Sequence, residues 1–200
     1  MTSVRVGLLS DTHVPYRAPE IPPAVLAALR GVDLILHAGD VDEPWALDPL
    51  REIAPVHAVR GNLHLLDRSG GGRSLPESVM VEAVGHRIAV THGHQLGALM
   101  TGLWKARCAW RNLRGHADFP AYNAAIVQSL LRRFPQADVI VFGHTHSFYS
   151  TRREGVLVVN PGAAMATSYF NAPYAPSVAH LVLMPEQPPR VERIPIPIAR

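Results

Sequence analysis

Five short apolar runs in this chain each lead into residues that can bind a metal, and that recurrence constrains the fold more than any other feature. Residues 4–9 run into Ser10-Asp11-Thr12-His13, and 32–37 into Ala38-Gly39-Asp40. Residues 56–59 run into Arg60-Gly61-Asn62, and 87–91 into His92-Gly93-His94. Residues 138–142 run into Gly143-His144-Thr145-His146. Runs of this length, rich in β-branched residues and broken by glycine, predict buried strands. In an α/β sheet with parallel strands, ligands gather in the crevice outside the carboxyl ends. Glycine there permits a sharp turn and a close approach of backbone to an ion. A side-chain period of two would put His144 and His146, and likewise Asp11 and His13, on one side of an extended segment.

The segments between these strands read as helices and loops. Pro22-Pro23 opens a short helix over 24–30, and a second covers 43–53 with Leu47, Leu50 and Ile53 on one face. Residues 67–76 form a loop. Their glycine run lacks the Gly-Lys-Ser/Thr that a phosphate loop needs. Strands at 78–84 and 87–91 meet in a hairpin at Gly85-His86. Residues 95–134 read as mostly helical, with Leu96, Leu99, Met100 and Leu103 on one face and Ile126, Leu130 and Phe134 on another. Between them Lys105, Arg107, Arg111 and Arg114 alternate with Trp104 and Trp110. This fits a solvated basic face over packed tryptophans; the sharper alternative is a lid offering arginines to a phosphate. Strands follow at 147–152, 156–160, 177–184 and 190–196, with a tight turn at Asn160-Pro161-Gly162 and a long loop over 161–176. Prolines confine the last strand to an edge. His37, inside an apolar run, reads as a satisfied core histidine or one that supports a ligand from behind, rather than as a ligand. The expected organisation is one domain over 1–200 with a helical insertion at about 95–134.

Composition narrows the function classes. A 200-residue chain that is 48% hydrophobic can bury a sizeable core. No run approaches the roughly 20 apolar residues of a membrane-spanning helix. The alternating Val4, Val6 and Leu8 argue against a secretory leader. With Cys108 as the single cysteine there is no internal disulfide, which fits a cytoplasmic protein. The net charge of +3 comes almost entirely from dispersed arginines, so a nucleic-acid surface is not indicated. A mild basic balance favours an anionic substrate.

The strand ends supply Asp11, Asp40, Asn62, His13, His92, His144 and His146 as donors. Two carboxylates, one amide oxygen and four imidazoles exceed one tetrahedral ion and fit two ions sharing a carboxylate. Hard oxygens mixed with imidazole suit manganese first, with iron, zinc, cobalt or nickel as alternatives. Two divalent ions, two carboxylates and a bridging hydroxide leave a site of about +1, poised for an anionic ester.

The ordered set Asp11-x-His13, Gly39-Asp40, Gly61-Asn62, His92-Gly93 and Gly143-His144-x-His146 resembles the calcineurin-like metallophosphoesterase superfamily. Ser10-Asp11-Thr12-His13 and the short length look most like its small YfcE-type phosphodiesterases, related in fold to the retromer subunit Vps29. The resemblance implies a four-layer α/β/β/α sandwich of two mixed sheets flanked by helices. It implies that Asp11, His13, Asp40 and His146 hold one metal, and that a bridging Asp40 with Asn62, His92 and His144 holds the other. The implied activity is hydrolysis of a phosphodiester in a small molecule or nucleotide, with a bridging hydroxide as nucleophile. The alternatives are a phosphomonoesterase or protein phosphatase of the same superfamily, and a non-catalytic Vps29-like scaffold. A membrane partner is not expected, and a homo-oligomer through 95–113 is open. Three departures matter. Leu63 stands where many relatives carry a histidine that assists the leaving group, which leaves His64 or His94 as candidate acid. Ala163 replaces a serine after Asn160-Pro161-Gly162. The 95–134 segment is longer than in compact relatives.

Overall fold

The computed structural model describes residues 3–62, 74–94, 119–165, 167–169 and 172–197. The basic segment with its tryptophans, Cys108, the Leu96–Leu103 face and most of the glycine loop lie outside these, as does His64.

Two five-stranded mixed sheets form the centre. The first contains β1 (Val4–Leu9), β2 (Leu34–His37), β3 (Val56–Ala58), β11 (Ser177–Leu183) and β12 (Arg190–Pro195), in the order β12-β11-β1-β2-β3. The second contains β4 (Ser78–Ala83), β5 (His86–Thr91), β6 (Val139–Val141), β7 (Tyr149–Arg153) and β8 (Val156–Asn160), in the order β4-β5-β6-β8-β7. Strands β1, β2 and β3 run parallel, as do β5, β6 and β8, while β11, β12, β4 and β7 pair antiparallel.

Alternation along the strands explains the layering. Val6 and Leu8 of β1, Val139 and Val141 of β6, and Leu157 and Val159 of β8 belong to one apolar layer between the sheets. Their neighbours face outward. Leu9 and Ile35 meet α1 (Pro23–Ala28) through Val25 and the C-capping Leu29. Ile140, Phe142 and Val158 meet α3 (Phe119–Arg133) through Ile126, Val127 and Leu130. The result is a four-layer α/β/β/α sandwich. Each such buried side chain contributes roughly 1.5–3 kcal/mol of transfer free energy. Gly7 sets the spacing of one outer layer, since a Cβ there would come within 2.7 Å of Leu29 Cδ2. Among the described residues, no helix is long and apolar enough to cross a membrane.

Three local expectations need correction. The helix expected over 43–53 is a 3₁₀ turn, Pro44–Leu47, followed by the four-residue α2, Asp48–Arg51. Pro49 has no N–H to donate to a preceding carbonyl, so it fits only in a first turn and the helix must restart there. The loop at 161–176 carries a small hairpin of β9 (Thr167–Tyr169) and β10 (Ala172–Tyr174). The turn between β4 and β5 is Val84-Gly85, both at positive φ, and His86 already belongs to β5.

Candidate metal centre

The carboxyl ends of β1, β2 and β3 from one sheet, and of β5 and β6 from the other, open into one crevice. The donors therefore meet between two sheets rather than along one. Residues leaving these ends turn sharply. Asp11, His13, Asp40, His144 and His146 all have φ between 49° and 73°. This left-handed region is unfavourable for residues with a Cβ and costs on the order of 1 kcal/mol each. The turn also overrides the extended-strand reading, so His144 and His146 do not project together.

His146 joins Asp11, His13 and Asp40. All four are buried, and one donor atom from each lies within 4.8 Å of every other. His146 Nε2 is 3.3 Å from Asp11 Oδ1, and His13 Nε2 is 3.6 Å from Asp40 Oδ2 and 3.5 Å from His146 Nε2. His144 goes elsewhere. Its Nδ1 is 2.8 Å from Asn62 Oδ1, which also lies 3.0 Å from His92 Nε2. His92 Nε2 in turn is 3.5 Å from Asp40 Oδ1. The two oxygens of Asp40 thus face the two donor groups, one each.

Close backbone approach makes this arrangement possible. A Cβ on Gly61 would fall 1.8 Å from Asp40 Oδ1 and 2.4 Å from the Asp40 backbone nitrogen. A Cβ on Gly39 would fall 2.5 Å from His92 Nδ1. The supporting contacts orient the donors. His92 Nδ1 donates to the Ala38 carbonyl at 2.8 Å, which turns Nε2 toward the centre. The Ser10 hydroxyl donates to Asp11 Oδ2 at 2.6 Å, and the His144 backbone N–H donates to Asp11 Oδ1 at 3.3 Å. Asp42 Oδ1 stands 3.7 Å from His13 Nδ1. His37 is fully buried, with Nε2 3.1 Å from the Thr12 hydroxyl, and it is not among the clustered donors.

Electrostatics separates the histidines. Burial works to raise Asp11, but the neighbouring His146, by charge and hydrogen bond, holds the carboxyl below the ordinary range. Burial likewise opposes charge on His92, yet Asp40 outweighs it and raises the imidazole to about 9. No carboxylate compensates His144 to that degree, and burial lowers it to about 3.

These groups fit divalent cations. Separations of 3.3–3.6 Å among Asp11, His13, Asp40 and His146 are at the long, weak end for hydrogen bonds. They match the roughly 3–3.5 Å edges of a polyhedron whose ligands stand about 2.1 Å from one ion. The donor set has oxygen and imidazole but no thiolate, which suits manganese, iron, zinc, cobalt or nickel.

The sequence matches the calcineurin-like phosphoesterase superfamily domain over residues 4–181. The chain belongs to that superfamily. A relative named as a probable metallophosphoesterase, from Methanothermobacter thermautotrophicus, is 35% identical over 158 residues, covering 79% of this chain and 76% of that protein. Superfamily membership accords with the fold of vacuolar protein sorting 29 from Cryptosporidium parvum. That structure has a TM-score of 0.69 at 23% identity and covers 98% of this chain and 99% of its own. Wild-type Vps29 from Entamoeba histolytica, crystallised with zinc, has a TM-score of 0.63 at 23% identity, covering 96% and 99%.

Sequence reasoning missed two groups, Asp42 and Tyr122, that contact the candidate donors. Asp42, two residues after Asp40, could have been found by its spacing. Tyr122 could not. Its hydroxyl is 2.9 Å from His144 Nε2, but it sits in an ordinary amphipathic helix 22 residues away in sequence. His94 stands at the edge, its ring centre 5.5 Å from that of His92 and 6.4 Å from that of His144.

Proposed function

We propose that this metallophosphoesterase is a phosphodiesterase with a dinuclear centre. Asp11, His13, Asp40 and His146 would hold one ion, and Asp40, Asn62, His92 and His144 the other. The observation carrying this reading is Asp40 itself, with Oδ2 toward His13 and Oδ1 toward His92 at nearly equal distances. Manganese is the first candidate. A bound pair of divalent ions brings the pKa of water toward neutrality and offsets the charge gathered by a phosphoryl group in displacement. The chain's own residues would fix the donors and leave the centre slightly positive, which favours a small phosphate ester or nucleotide. His94 or His64 would protonate the leaving group.

Turnover of bis-p-nitrophenyl phosphate across a panel of divalent ions tests this. Hydrolysis supported best by manganese is expected. No turnover with any ion, in a chain that keeps its fold, sinks the proposal. In the same assay, whichever of His94→Ala and His64→Ala loses the larger factor identifies the acid, and equal wild-type rates would remove both.

The second reading is a non-catalytic scaffold, favoured by the Vps29 fold likeness. Bound metal does not separate the two, because a Vps29 has itself been crystallised with zinc. Turnover does. The chain retains a donor at each of the seven positions, which supports catalysis.

A further inference from the structure

Helix α3 lends two adjacent polar residues to the loop that follows β6, although its neighbouring residues pack the outer core. Tyr122 brings its hydroxyl to 2.9 Å from His144 Nε2. Asn123 Oδ1 accepts the Thr145 hydroxyl at 2.8 Å. The Thr145 oxygen accepts from Asn160 Nδ2 at 2.9 Å, and the same amide donates to the Gly143 carbonyl at 2.7 Å. Asn160 Oδ1 accepts from the Gly162 N–H at 2.9 Å. Tyr122, Asn123, Thr145 and Asn160 are all buried.

Buried side-chain polar groups on a core helix are costly unless paired, about 1–3 kcal/mol for each unsatisfied group. Here the pairing is spent on one four-residue loop, Gly143–His146. That loop needs outside support, because both of its histidines hold left-handed backbone angles. The imidazole of His144 has two nitrogens, and Nδ1 already faces Asn62 Oδ1 and the centre. The orientation of the ring is therefore set from its far side, at Nε2. A tyrosine hydroxyl suits that position because it donates to a bare nitrogen and accepts from a protonated one. It can hold the ring in either tautomer.

We infer that α3 is the positioning element for one half of the centre: Tyr122 aims His144 through Nε2, and Asn123 pins Thr145 between the two loop histidines. This rests on the dinuclear reading above. Tyr122 and Asn123 act through other residues, so they are positioning residues rather than catalytic ones.

The test compares Tyr122→Phe, Asn123→Ala and the core control Ile126→Val with the wild type, using manganese binding by calorimetry and elemental analysis. Tyr122→Phe should weaken one ion of the pair by about 10–100-fold and leave the other unchanged. Asn123→Ala should act in the same direction by less. Ile126→Val should lower the melting temperature without changing either affinity. Wild-type affinity for both ions in Tyr122→Phe would overturn the inference, and so would an equal loss at both. The ring nitrogens of His144, followed by ¹⁵N NMR in chelator-treated protein, give a readout that needs no metal. Their shifts should move in Tyr122→Phe and hold in Ile126→Val. If the wild type binds a single ion, the dinuclear reading fails, and unmoved His144 shifts would then reject the role of Tyr122 separately.

Discussion

The two halves of the centre are built from different material. One gathers Asp11, His13 and His146 with one oxygen of Asp40, and the other links Asn62, His92 and His144, of which His92 faces the second oxygen of Asp40. The first has a carboxylate of its own, held ionised by His146. The second has none, and one of its imidazoles resists protonation down to about pH 3. On the proposed two-ion reading, a cation would meet more fixed negative charge in the first half. The second half would depend on the shared Asp40 and on imidazoles held by the Ala38 carbonyl and the Tyr122 hydroxyl. On that reading, charge would set the affinity of one half and positioning that of the other.

The largest effect should come from removing what the halves share. If the two-ion proposal holds, Asp40→Ala is expected to lose both ions and to drop phosphoesterase turnover by about 10³-fold or more, as loss of several kcal/mol implies. Elemental analysis checks it; two ions retained would dissolve the comparison. Asn62→Ala should act on one half only. One ion per chain should remain tightly bound while the second weakens by about 100-fold, read by calorimetry. Loss of both would mean that the halves are one coupled unit.

The smallest effect is on stability against pH in chelator-treated protein. His37 and His144 are held down to about 4 and about 3 by burial, so they stay neutral when folded. Between pH 6.5 and those values the unfolded chain binds protons that the folded chain refuses, and stability falls as pH falls. His92 has the opposite sign. Its contribution is fully present below pH 6.5 and is lost as pH rises through about 9. Unfolding free energies from urea titrations should therefore decline on both sides of neutrality, by a few kcal/mol and more steeply on the acid side. A flat profile from pH 4.5 to 9.5 would remove the electrostatic contrast.

The sheets and the candidate donors at their strand ends were legible because they depend on local pattern. Val6 and Leu8 against Leu9, or Val139 and Val141 against Ile140, declare their faces by alternation alone. Asp40 beside Gly39, and Asn62 beside Gly61, mark strand ends for the same local reason. What could not be read depends on tertiary contact. The left-handed angles at Asp11, His13, His144 and His146 are imposed by the crevice, against the preference of residues with a Cβ. That is why a period-two reading of His144 and His146 failed. The Tyr122 contact joins a helix to a loop across 22 residues, and no periodicity encodes it. The β9–β10 hairpin was hidden by a stretch rich in alanine and proline.

The position of β1 has a consequence for synthesis. This first strand carries Asp11 and His13 at its end, and it is paired between β2 and β11. Its partner β11 begins at Ser177, so most of the chain must leave the ribosome before β1 has both neighbours. Until then the nascent protein exposes an apolar edge, the kind of template that invites mispairing. Long-range pairing of this sort folds slowly. The donors at the end of β1 are thus fixed between both neighbours only after β11 has been made, which delays any capture of an ion until then.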